Sequence, residues 1–195
     1  MALEYLNRRG DRYYVLQGKT KTGKTKYYCG KKPGENTVEQ LPVEFELHEE
    51  PMRGLVSVRK RRPTRIHSAE RHLVERHCVE LCGDHSVVEV ENDSLVVYAP
   101  QRNGREIERF VSELGILPGK VEEARKILLR QSNYDALLRF SLADENNRLY
   151  SAERWCFRGS IDGWIPLFSY QELPLDTLAL ALLPTIGGED FFELM

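Results

Sequence analysis

Tyr13-Tyr14-Val15-Leu16-Gln17-Gly18-Lys19-Thr20-Lys21-Thr22-Gly23-Lys24-Thr25-Lys26-Tyr27-Tyr28-Cys29 decides the fold, because it reads in two incompatible ways. Residues 18–25, G-K-T-K-T-G-K-T, satisfy the phosphate-binding P-loop pattern G-x-x-x-x-G-K-[ST]. The same residues also alternate as two strands about Thr22-Gly23. A P-loop needs a strand before the glycines and a helix N-terminus directly after them, so that backbone N–H groups and the helix dipole converge on the anion. The strand is present at 13–17. The helix is not: Lys26-Tyr27-Tyr28-Cys29-Gly30-Lys31-Lys32-Pro33-Gly34 follows, where the tyrosines favour a strand and Gly30, Pro33 and Gly34 break any helix. No apolar run ending in aspartate follows to supply a magnesium partner. The string is therefore a false match, and the segment reads as a lysine-rich β-hairpin.

With Thr22-Gly23 as a two-residue turn, Lys21 opposes Lys24, Lys19 opposes Lys26 and Gln17 opposes Tyr28. Side chains alternate across a strand, so Tyr14, Leu16, Thr25, Tyr27 and Cys29 would share an apolar face. Tyr13, Lys19, Lys21, Lys24, Lys26, Tyr28 and Lys32 would share the other. Such a turn puts β-branched Thr22 at positive φ, and a three-residue loop would blur this sorting. Facing lysines on a sheet destabilise it unless solvent or an anion separates them.

The 195 residues suffice for a core without disulfides. Charge is unevenly spread. Residues 1–66 carry 15 Lys and Arg against 8 Asp and Glu, net +7, and residues 67–195 carry 13 against 22, net −9. This suggests a basic β-hairpin module over 1–66 and an acidic α+β domain over 67–195, or one continuous domain. The counter-charge is then either a polyanionic partner or the acidic body itself. The N-terminus lacks a secretory pattern, the longest apolar run, 177–183, is far short of a membrane span, and four scattered cysteines are no disulfide scaffold. A cytoplasmic protein without membrane contact is expected.

A second hairpin is expected over 42–62, turning at 51–54 and ending in Arg59-Lys60-Arg61-Arg62-Pro63-Thr64-Arg65. Ser68 reads as the N-cap of a helix running through Val79 and stopping at Gly83. Strands at 87–91 and 95–98 flank an Asn92-Asp93 turn, and 104–114 and 121–129 read as amphipathic helices. Strands at 137–142 and 149–157 and an apolar helix at 173–183 complete the pattern. Strands in adjacent pairs with segregated helices give an α+β fold of mainly antiparallel hairpins.

Few constellations carry chemistry. Cys78 and Cys82, one helical turn apart, could meet His85 in a zinc site, but paired-cysteine knuckles are absent and cysteine on an apolar helix side is more often a small hydrophobe. His72 and His77 read as solvated. His77-Cys78 matches the start of a phosphatase His-Cys-x5-Arg loop, yet Asp84 stands where the arginine must be. Trp155 and Trp164, with Arg154, Arg158 and Asp162, could line a pocket. Alternation instead puts Trp155 and Phe157 in the core and Arg154 and Arg158 outside. The tail Glu189-Asp190-Phe191-Phe192-Glu193-Leu194-Met195 could dock a protein partner or fold back.

The leading expectation is a non-enzymatic protein that binds nucleic acid with low base specificity. Lys19, Lys21, Lys24, Lys26 and Lys32 would contact phosphate, Tyr13 and Tyr28 would stack on bases, and Arg59, Lys60, Arg61, Arg62 and Arg65 would extend the track. No cofactor is called for. The alternatives are a protein-interaction or self-assembly module and an enzyme or metal-binding protein using the His-Cys helix.

Overall fold

The computed structural model describes residues 2–82, 85–101, 109, 113, 120–158, 161–188 and 190–193. Two small sheets are formed by the N-terminal third. Strands β1 (Glu4–Leu6), β2 (Arg12–Lys19) and β3 (Thr25–Gly30) lie side by side, and β4 (Phe45–Glu49) pairs with β5 (Val56–Lys60). The expected second hairpin is present, turning at 51–54, where Gly54 takes a φ of +69°.

Helix α1 (Ser68–His77) begins one residue earlier than its sequence signal. His67 is its N-cap, and the Glu70 carboxylate reaches back to the His67 amide at 2.8 Å. A π-helical turn, Cys78–Cys82, extends it. Then follow β6 (Val87–Glu91), β7 (Ser94–Pro100), α2 (Val121–Gln131), β8 (Tyr134–Asp144), β9 (Leu149–Arg158), β10 (Ile161–Pro166), β11 (Leu173–Pro174), α3 (Leu175–Leu182) and the short α4 (Asp190–Glu193). Asn92, at φ +56°, makes the tight β6–β7 turn, a backbone state that asparagine tolerates.

Strands β6 to β10 form an antiparallel meander in chain order, with β11 added against β9. Strands successive in the chain are neighbours in it: β6–β7, β8–β9 and β9–β10 follow one another closely, whereas β7 and β8 pair across the longer connection that carries α2. Leu95, Val97, Leu138, Phe140, Tyr150 and Ala152 share one face, which packs against Val74 of α1 and Leu178 and Leu182 of α3. Val96, Tyr98 and Tyr134 sit on the other with Trp164. The α+β class is thus as the pattern implied. The expected helix over 104–114 lies outside the described residues apart from 109 and 113. No described helix is long and apolar enough to cross a membrane.

Arg8 makes one of several links between the basic and acidic segments, the one with the most hydrogen bonds to main-chain carbonyls. Arg8 Nη1 donates to the carbonyls of Arg130 and Ser132 at 2.8 and 3.1 Å, and Nη2 donates to those of Pro51 and Met52, both at 3.0 Å. Its guanidinium lies 4.1 Å above the Tyr134 ring. Burial holds the Arg8 pKa below its ordinary value.

Candidate nucleic-acid interface

The β2–β3 hairpin differs from the expected register by one residue. Lys19 pairs with Thr25, Gly18 with Lys26, Gln17 with Tyr27 and Leu16 with Tyr28. The loop is Lys21-Thr22-Gly23, closed by the Thr20 amide donating to the Lys24 carbonyl at 2.8 Å. The physical reason is the backbone. A two-residue primed turn would force Thr22 to positive φ, whereas this loop places the positive φ, +81°, on Gly23. The threonine hydroxyls add to it, Thr20 Oγ1 accepting from the Lys24 amide at 3.1 Å. A strand, not a helix, follows the G-K-T string, so its amides have no helix terminus behind them.

A slip of one residue turns every β3 side chain to the opposite face. No lysine therefore faces another directly across the ladder. Lys24, Lys26 and Tyr28 share a face with Leu16, and the Lys26 ammonium sits 5.4 Å from the Tyr28 ring centre. Lys19 lies on the face of Val15 and Tyr27. Tyr27 packs edge-on against Phe45 at 5.2 Å, which sets β3 beside the β4–β5 hairpin.

The two tyrosines expected to stack separate sharply. Tyr28 is 39% exposed, its hydroxyl accepting from Asn36 Nδ2 at 3.1 Å. Tyr13 is only 7% exposed and lies beneath the Lys31 ammonium, so it has no face to offer a base. Its burial follows from its position beside Val15, on the side of the sheet that turns inward.

The arginine run is divided in the same way. Arg59 binds Glu46 Oε1 through Nε at 2.7 Å and Glu89 Oε1 through Nη2 at 3.0 Å. Arg65 holds Asp93 at 2.8 Å and Glu145 at 3.1 Å, and these hydrogen bonds push its pKa up. Both are engaged by the protein's own carboxylates, with which a phosphate at either guanidinium would compete. Glu89, Asp93 and Glu145 come from the acidic segment, and Glu46 from the hairpin that carries Arg59. Lys60, Arg61 and Arg62 remain exposed, Arg61 Nε donating to the Phe45 carbonyl at 3.4 Å. Lys19, Lys21, Lys24, Lys26 and Lys32 are exposed as well, and no ion pair holds them among the described residues.

The other expected sites change too. His77 is buried rather than solvated, its Nε2 2.8 Å from Asp176 Oδ1 of α3. Cys78 is buried, its thiol pushed up by a hydrogen bond with Cys82 and by burial, and Cys82 Sγ donates to the Leu183 carbonyl at 3.2 Å. All four cysteines are free thiols. Among the described residues, no group of three or more His, Cys, Asp or Glu could hold a metal ion, and Cys78, Cys82 and His85 form none.

Strand parity at β9 is opposite to the expectation. Arg154 is 9% exposed, carried inward with Tyr150 and Ala152, while half-buried Trp155 donates to Asp162 at 3.1 Å and meets Trp164 at 5.0 Å. Arg139, not Arg154, stacks on Trp164, at 4.5 Å. The side chains of Phe157 and Arg158 lie outside the described residues. In the tail, Phe191 is buried in the main core, so the fold-back alternative holds for that ring. Residues 189, 194 and 195 lie outside the described set.

A polar cleft of about 360 Å³ opens between the β4–β5 hairpin, the segment 62–64 and β6. Within it His48 Nε2 lies 3.1 Å from Glu89 Oε1, and the Tyr5 hydroxyl donates to Glu49 at 3.0 Å. Burial and the Glu49 charge push the Tyr5 pKa up to about 12. No spacing motif joins Tyr5, His48, Glu49 and Glu89, which meet only because three strands converge. The one available signal is the charge of Glu46 and Glu89 alternating with apolar neighbours.

Comparison with models of known families, with curated proteins and with solved structures finds no match to this chain.

Proposed function

We propose that this protein binds the phosphate backbone of nucleic acid, with low base specificity, through the β2–β3 hairpin. The observation that carries the reading is the division of the basic residues. Arg8, Arg59 and Arg65 are used internally, whereas Lys19, Lys21, Lys24 and Lys26 stand exposed on one ribbon and Lys32 stands exposed just beyond its end. A two-stranded ribbon is narrow enough to enter a major groove, and lysines on both faces of it meet phosphates on either side. Tyr28 is the ring placed to stack on an exposed base, and Lys60, Arg61 and Arg62 continue the basic surface from the strand beside β3. This reading takes the protein to be cytoplasmic.

The test is fluorescence anisotropy with labelled duplex and single-stranded oligonucleotides across a salt series. The intact chain should bind with log K falling against log salt at a slope of roughly −4, for about four or five phosphate contacts. A variant carrying Lys19→Glu, Lys21→Glu, Lys24→Glu and Lys26→Glu should lose binding while keeping its circular-dichroism spectrum. Absence of binding by the intact protein at low salt sinks the reading.

A further inference from the structure

We infer that the cleft between the β4–β5 hairpin and β6 binds a phosphate monoester carried on a hydroxyl-rich body, the size of a sugar phosphate or nucleoside monophosphate. This site is distinct from the lysine hairpin and does not depend on it, although it shares Arg62 with the basic surface proposed beside β3. Its volume, about 360 Å³, is that of a small-molecule pocket, for which roughly 300–1,000 Å³ is usual.

The chemistry of the lining gives the ligand its polarity. The floor is acidic but already partly neutralised by Arg59, which holds both Glu89 Oε1 and Glu46 Oε1, and His48 Nε2 also lies against Glu89 Oε1. The second oxygen of each carboxylate, Glu46 Oε2 and Glu89 Oε2, makes no hydrogen bond among the described residues and can accept from a hydroxyl. A bare anion would be repelled by this floor. Two cations line the same cleft with donors to spare. Arg62 is exposed and has no ion pair among the described residues. Arg71 commits only its Nε, to Glu75 at 2.8 Å, and keeps both Nη groups. Guanidinium forks match phosphate oxygens in pairs. A phosphate held by Arg62 and Arg71, with hydroxyls directed to Glu46 and Glu89, satisfies both halves of the cleft, which neither inorganic phosphate nor a neutral sugar does.

Calorimetric titration of the full chain with ribose 5-phosphate, ribose and inorganic phosphate tests this. Ribose 5-phosphate should bind at least about tenfold more tightly than either fragment, and Arg62→Ala and Arg71→Ala should each weaken it by about tenfold or more. Both side chains are at the surface, so circular dichroism should report an unchanged fold. The variant with four hairpin lysines changed to glutamate should bind ribose 5-phosphate as the parent does, which separates this site from the hairpin. A 5′-phosphorylated oligonucleotide titrated into that hairpin variant distinguishes a strand end from a free sugar phosphate as the source. No heat with ribose 5-phosphate, or binding indifferent to Arg62 and Arg71, overturns the inference.

Discussion

Arg8→Ala should loosen the attachment of the basic segment to the acidic body. Arg8 has a side chain 13% exposed and makes four hydrogen bonds to main-chain carbonyls, two from each segment. The carbonyls of Arg130 and Met52 lie at the surface and are recovered by water, so their loss costs little. Those of Ser132 and Pro51 are partly buried, and each lost bond from a charged donor costs about 1 kcal/mol after partial rehydration. The stack on Tyr134 and the covered alkyl stem add about 1 kcal/mol. The total is about 3 kcal/mol, which for a chain of this length lowers Tm by roughly 6–12 °C. Arg8→Lys keeps the charge but loses the planar fork that reaches both pairs of carbonyls, so it should recover less than half of the loss. Urea titration followed by tyrosine and tryptophan fluorescence gives the measurement. A loss below about 1 kcal/mol for Arg8→Ala, or full recovery with lysine, would refute the claim that these directed bonds hold the segments together.

Two further outcomes follow from other contacts. Tyr13→Ala should cost roughly 3 kcal/mol of stability because it empties a buried site. Tyr28→Ala should leave the urea midpoint nearly unchanged and weaken single-stranded oligonucleotide binding by about 1–3 kcal/mol, the worth of one base stack; equal effects on stability would show that the faces have been misassigned. Burial by itself raises the Glu70 pKa, but hydrogen bonds from Arg148 and the His67 amide outweigh it and hold the carboxyl below its usual value. A depressed folded-state pKa gives stability that is present above the unfolded value, about pH 4.3, and is lost as pH falls through the folded value. Arg148→Met should therefore flatten this acid limb in urea midpoints measured between pH 7 and pH 3, and an unaltered limb would remove Glu70 from the account.

Much of the fold was legible because its signals are local. The 51–54 turn, the Asn92-Asp93 turn, the apolar strands at 137–142 and 149–157 and the apolar helix near 175 all lie within the stretches that encode them. Strands β1 and β10 were not legible. β1 is three residues long, and Gly163 and Pro166 interrupt the pattern of β10. The helix start at His67 was missed by one residue because Glu70, not Ser68, supplies the reciprocal cap.

By itself the sequence determined that 18–25 is a hairpin and not a P-loop, that the sheet is antiparallel, and that positive charge gathers before residue 67. Those properties depend on turn residues, side-chain alternation and composition, which act over a few positions. Only the tertiary structure decided which charges remain available. Register hung on whether Thr22 or Gly23 took positive φ, and that one-residue choice reversed the face of Lys24, Lys26 and Tyr28. Arg59 and Arg65 look identical to Arg61 and Arg62 in the chain, yet Glu89, Asp93 and Glu145 reach the first pair and not the second. Ion pairs between residues 28 to 80 positions apart have no local signature, because they exist only once the sheet has brought their partners within a few ångströms.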